Sequence, residues 1–100
     1  MVKHVIIWTL KPELDSEDRA MIIPRIKEHL EALKGVIPGI VELKVHTDGL
    51  ASSNTDIMLD STFENEEALK NYATHPAHVE VAYDDVIPFT KIRSCFDYEV

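Results

Sequence analysis

Residues 40–63 begin with Ile40-Val41-Glu42-Leu43-Lys44-Val45-His46. A polar run from Thr47 to Thr55 follows, and then Asp56-Ile57-Met58-Leu59-Asp60-Ser61-Thr62-Phe63. In the first segment Val41, Leu43 and Val45 alternate with Glu42, Lys44 and His46, the period of a strand with one buried face. In the last, Ile57, Leu59, Ser61 and Phe63 oppose Met58, Asp60 and Thr62. The run between them holds Asp48-Gly49 and Ser52-Ser53-Asn54, which is loop chemistry. Two strands in direct succession therefore occupy the middle of the chain.

Toward the N-terminus, Pro38-Gly39 is a turn. Ahead of it, Ile22, Ile23, Ile26, Leu30 and Leu33 recur at helical spacing as one apolar stripe. Asp15-Ser16-Glu17-Asp18 supplies the N-terminal cap and first-turn acids, and Gly35 the stop. Pro24 lies inside this pattern. It removes the hydrogen bond to Ala20, which predicts a kink or a restart. Val2 to Leu10 is a further strand, with Val2, His4, Ile6, Trp8 and Leu10 on one face and Lys3, Val5, Ile7 and Thr9 on the other. Both faces are largely apolar, as in a strand covered on both sides.

Toward the C-terminus, Asn65-Glu66-Glu67 caps a helix whose apolar face is Ala68, Leu69, Tyr72 and Ala73. His75 precedes Pro76 and so breaks that helix, while Pro76 suits the first turn of a new one. The short helix is expected to run through Val79, Ala82 and Tyr83 to Pro88. Lys91 to Tyr98 is the last strand. The order β-α-β-β-α-β is the ferredoxin-like arrangement, an α+β fold with an antiparallel sheet and helices on one face. Its other face would be bare in a monomer, which predicts a homodimer through that face.

One hundred residues bound the chain to a single domain, residues 1–100. The formal charge of −8 argues against nucleic acid and against anionic membranes as partners. The one cysteine, Cys95, excludes an internal disulfide and suits a reducing, cytoplasmic setting; it is expected to be a buried strand residue. No run approaches the roughly 20 apolar residues of a membrane span.

The chemistry concentrates in Asn71-Tyr72-Ala73-Thr74-His75-Pro76-Ala77-His78-Val79. Imidazole moves protons near neutral pH, and a phenol hydrogen-bonds an enolising carbonyl. His78 falls in the first turn after Pro76. There the positive end of the helix favours a neutral ring able to accept a proton. It is either such a base or a packed cleft histidine. Tyr72 reads equally as a core tyrosine, His75 as a local cap, His4 as a satisfied buried histidine and Trp8 as core or cleft wall. His75 and His78 do not form a ligand pair across the proline, and no carboxylate stands beside them at a ligand spacing. No metal and no cofactor are expected. The glycines Gly35, Gly39 and Gly49 all sit in turns and form no phosphate loop.

Lys3-His4-Val5, Ser61-Thr62-Phe63-Glu64, the run Tyr72 to Val79 and Phe96-Asp97-Tyr98 together resemble the stress-responsive dimeric α/β-barrel (Dabb) family, in the family's order and over nearly the whole chain. The resemblance implies a homodimer in which two ferredoxin-like sheets form a barrel, with a cleft between sheet and helices in each subunit. A plant polyketide cyclase of the family closes a ring by an intramolecular aldol reaction without metal or cofactor. The resemblance places its base on His78 and its substrate-placing tyrosine on Tyr72. His4, Trp8, Leu59 and His75 are the expected substrate-binding residues around them. Arg93 and Ser94 depart from the apolar pattern expected of the final strand. Three functions follow: a cofactor-free cyclase or isomerase acting on a small oxygenated compound, a non-catalytic metabolite-binding module, or a stress-protective structural dimer.

Overall fold

Alternation in the first strand is expressed in full: Val2, His4, Ile6, Trp8 and Leu10 are buried, and the residues between them half-buried. The computed structural model describes residues 1–100. Its strands are Val2–Leu10 (β1), Ile40–His46 (β2), Ile57–Phe63 (β3) and Thr90–Glu99 (β4), in one antiparallel sheet ordered β2-β3-β1-β4. The helices are Ser16–Glu31 (α1), Glu66–Thr74 (α2) and Pro76–Val81 (α3). The order is the α+β, ferredoxin-like one expected from the sequence. The core lies between one sheet face and the helices, where Leu43, Val45, Ile57, Leu59 and Phe63 meet Ile26, Leu30, Leu69 and Tyr72.

Asp15 caps α1 by accepting from Asp18 N, and Asp18 returns the bond to the Asp15 backbone. The helix neither breaks nor restarts at Pro24. Ala20 and Pro24 are both exposed, so water can take up the carbonyl that the proline leaves without a donor. A 3₁₀ turn, Ala32–Gly35, finishes the segment. Glu31 then reaches the outer edge of β2. Its Oε2 accepts from Val45 N at 2.9 Å, and Lys27 Nζ donates to Val45 O at 2.7 Å, which blocks further strand pairing there. Burial pulls the Glu31 carboxyl upward. The Val45 N–H and Lys27 outweigh it and hold its pKa below the usual value.

Two strand expectations need correction. Val41 is exposed, not buried with Leu43 and Val45, because the β2–β3 register shifts between Ile40 and Glu42 and inserts Val41 as an extra residue. Cys95 is exposed, because β4 is the outer strand on the far side and no helix covers it there.

Gly39 is the one residue with positive φ, at +90°. A Cβ there would lie 2.6 Å from Ala68 Cβ. The turn thus presses directly on α2 and fixes the height of the helix that carries Tyr72. Gly39→Ala is expected to cost about 2–4 kcal/mol in urea unfolding, combining backbone strain and overpacking. Adding Ala68→Gly should recover only the packing part; full recovery would show that the backbone conformation costs nothing.

Candidate functional site

Asn65 accepts from Ala68 N and starts α2, which buries Leu69 and Tyr72 against the sheet. The helix ends at His75, held at ψ 134° as a residue before proline should be. His75 Nδ1 accepts from Ala77 N and so caps α3. This change of direction decides the site. Tyr72 and His78 are six positions apart, a spacing that no continuous helix would bring to one spot. After the break their rings lie 4.3 Å apart, tilted by 41°. The short helix ends earlier than expected, at Val81. A wide π-type turn over Ala82–Val86 and a 3₁₀ turn over Ile87–Phe89 complete the segment. The wide turn brings Asp85, which is buried, onto α1, with Arg25 Nε at 3.0 Å and His29 Nδ1 at 2.5 Å.

Tyr72 and His78 both line a hollow of about 230 Å³ between sheet and helices. Ile6, Trp8 and Leu59 form its floor, Leu30, Ala82, Val86 and Ile87 its apolar walls, and Thr90 and Arg93 its remaining rim. Of the residues expected around a substrate, Trp8 and Leu59 are therefore present. His4 stands behind the phenol, its ring edge-on to Tyr72 at 6.2 Å, and opens onto a neighbouring, more open trough of about 530 Å³ along β4. His75 lines neither space.

The Tyr72 hydroxyl is buried and has no hydrogen-bond partner. Burial pushes its pKa far above the usual tyrosine range, only slightly opposed by Arg93, so the group stays protonated and is a donor. Burial also pushes the His78 pKa down, against the opposing pull of the Ala73 carbonyl; the positive fields of His4, Arg93 and His75 add to the lowering. His78 Nδ1 lies 3.1 Å from Ala73 O. A carbonyl only accepts, so Nδ1 carries the proton and Nε2 keeps its lone pair. The arrangement is a neutral imidazole base beside a phenol donor that lacks an acceptor, in a mainly apolar hollow.

Beside this lies a pair that the sequence does not reveal. His4 and Asp97 face each other across β1 and β4, with Nδ1 and Oδ1 2.5 Å apart and Cys95 Sγ 3.4 Å from the same carboxylate oxygen. The residues are more than ninety positions apart, and only the strand register makes them neighbours. Partial desolvation by its neighbours raises the Cys95 pKa although the residue is exposed, as does its hydrogen bond to Asp97, which does not suit a thiolate nucleophile.

The family model for the stress responsive A/B barrel domain, Dabb, matches residues 2–100. A dimeric Bacteroides fragilis protein of unknown function and ferredoxin-like fold is 31% identical, with a TM-score of 0.92 over 99% of this chain and 95% of its own. The Arabidopsis thaliana protein At3g17210 is 25% identical, with a TM-score of 0.81 over 100% and 95% of the two chains. A hydroxynitrile lyase from Passiflora edulis is 20% identical, with a TM-score of 0.77 over 97% and 90%, a likeness of fold alone. No curated protein matches. No helix is long and apolar enough to cross a membrane.

Proposed function

Because the chain belongs to the stress responsive A/B barrel domain (Dabb) family, we propose that it works as a one-domain cytoplasmic homodimer, paired through its open sheet face, that converts a small oxygenated organic compound in the hollow under each sheet. His78 Nε2 takes a proton from a carbon next to a carbonyl. The electron pair moves onto the carbonyl oxygen, which accepts a hydrogen bond from the Tyr72 hydroxyl as it gains charge. The enolate carbon then attacks a second carbonyl of the same molecule. The protonated His78 returns its proton to the new alkoxide, which closes an aldol-type ring. Return of the proton to a different atom of the enolate would instead be an isomerisation. Neither route needs a metal or cofactor.

Trp8 and Leu59 supply apolar contact to the substrate. His4 and His75 act as positioning residues, one packed behind the phenol and the other capping the helix that carries the base. The observation that carries the reading is the shared hollow: two rings 4.3 Å apart, one bearing a buried hydroxyl with no acceptor. The test is turnover of β-polyketides and aromatic ketones by the wild-type protein and by His78→Ala. Equal turnover by both would remove His78 as the base. Ligand-induced thermal stabilisation with no product from either protein would move the assignment to a metabolite-binding module.

A further inference from the structure

Arg93 breaks the apolar pattern of the final strand, and nothing in the proposed proton transfer uses it. It pairs with Trp8 across β1 and β4 and lines the hollow that holds Tyr72 and His78. It takes part in none of the chain's ion pairs, although the chain carries 18 acidic side chains against 10 basic ones. Among the residues around the hollow it is the only one with a permanent charge. Arg93 is exposed, so water screens part of its charge, yet at the rim of an otherwise apolar space it favours an entering anion. Tyr72 lines the same space, and its buried hydroxyl, held protonated, is a donor with no partner. The trough on the other side of Arg93 has the opposite character, with Glu66, Asp97 and Glu99 outnumbering Lys70 and Arg93. An anion is therefore favoured on the Tyr72 side and disfavoured on the other.

We infer that the compound bound in this hollow is an anion, a carboxylate with an apolar body, whose carboxylate pairs with Arg93 while an oxygen of its body accepts from the Tyr72 hydroxyl. The guanidinium offers parallel N–H donors that match a carboxylate, and its planar fork gives orientation as well as attraction. The floor of Trp8 and Leu59 takes the apolar body. This rests on the reading of the hollow as a ligand site and adds the charge of the ligand to it. Arg93 is thereby the residue that selects for charge.

The test compares two probes of the same shape, 4-hydroxybenzoate and 4-hydroxybenzamide, by NMR titration of the wild-type protein, Arg93→Met, Arg93→Lys and Tyr72→Phe. The anion should bind wild type at least about tenfold more tightly than the amide, perturbing the ring signals of Tyr72 and His78. Arg93→Met should abolish that preference while leaving the amide affinity unchanged. Arg93→Lys should keep part of it, and Tyr72→Phe should weaken both probes alike. Equal binding of the two probes to wild type, or an anion preference that survives Arg93→Met, overturns the inference and leaves the hollow as a site for neutral compounds. Binding of neither probe at millimolar concentration overturns the inference and counts against the hollow as a ligand site. Arg93 is exposed at a sheet edge, so both variants should fold.

Discussion

Replacing His78 by alanine is expected to lower kcat on an enolisable substrate by about 10²- to 10⁴-fold, with little change in KM. The imidazole acts on a proton that moves only in the transition state, so its loss shows in the chemical step and not in binding. The side chain is half-buried in a short helix that contributes no buried residue of its own, so the fold should persist. The dependence on pH follows from the direction of the shift. Burial holds the His78 pKa below the ordinary 6.5, so the base form predominates at neutral pH and the midpoint of the fall in rate on acidification should lie beneath 6.5. Tyr72→Phe provides a contrast of sign. It should cost activity by about 10²- to 10³-fold, as loss of a donor to a developing oxyanion does. It removes a buried hydroxyl that has no partner, so stability should hold or rise. A tyrosine kept only for the core would lose neither activity nor ligand affinity on this change.

Phe96→Glu is expected to convert the proposed dimer to monomers without unfolding them. Strand register places Val5 opposite Phe96, Lys3 opposite Tyr98 and Thr9 opposite Ile92, all on the sheet face that no helix covers. Phe96 is 69% exposed, and its ring lies 5.8 Å from that of Tyr98. Such a patch is costly to leave in water, and a two-fold pairing would bury it twice over. Fully burying one such side chain contributes about 1.5–3 kcal/mol, so removing it from both subunits should cost about 3–6 kcal/mol of association. That weakens dimerisation by a factor of about 10² to 10⁴ before the cost of burying two carboxylates is added. Sedimentation should show monomer at micromolar concentration for Phe96→Glu. The dimer should be retained in Tyr83→Glu, which changes an equally exposed aromatic on the helical side. A dimer that survives Phe96→Glu would place the interface elsewhere.

Most of the fold is legible because hydrophobic periodicity switches cleanly between two and three-to-four along the chain, with Asn65, Pro76 and Asp15 marking helix starts. What escapes is set by tertiary structure. Pro24 reads as a helix breaker, yet the helix continues on an exposed stretch where water can take up the carbonyl of Ala20. Val41 fits a perfect alternation and is displaced by a bulge that only pairing with β3 creates. Cys95 reads as a buried strand residue from its type, and its exposure follows from β4 standing at the sheet edge. At the site, the helix break at His75-Pro76 is visible in the residues, but the 4.3 Å approach of Tyr72 to His78 depends on the angle of that break. The pairing of His4 with Asp97 depends on a register between the first and last strands that no local pattern encodes.

The protonation of the His78 ring tests the central claim most directly. Long-range proton–nitrogen NMR across a pH titration should show a neutral ring at pH 7, its proton on Nδ1 and a lone pair on Nε2, with a midpoint below 6.5 and an Nε2 signal that moves when 4-hydroxybenzoate is added. An imidazolium at neutral pH or a proton resident on Nε2 would contradict the assignment of His78 as the base.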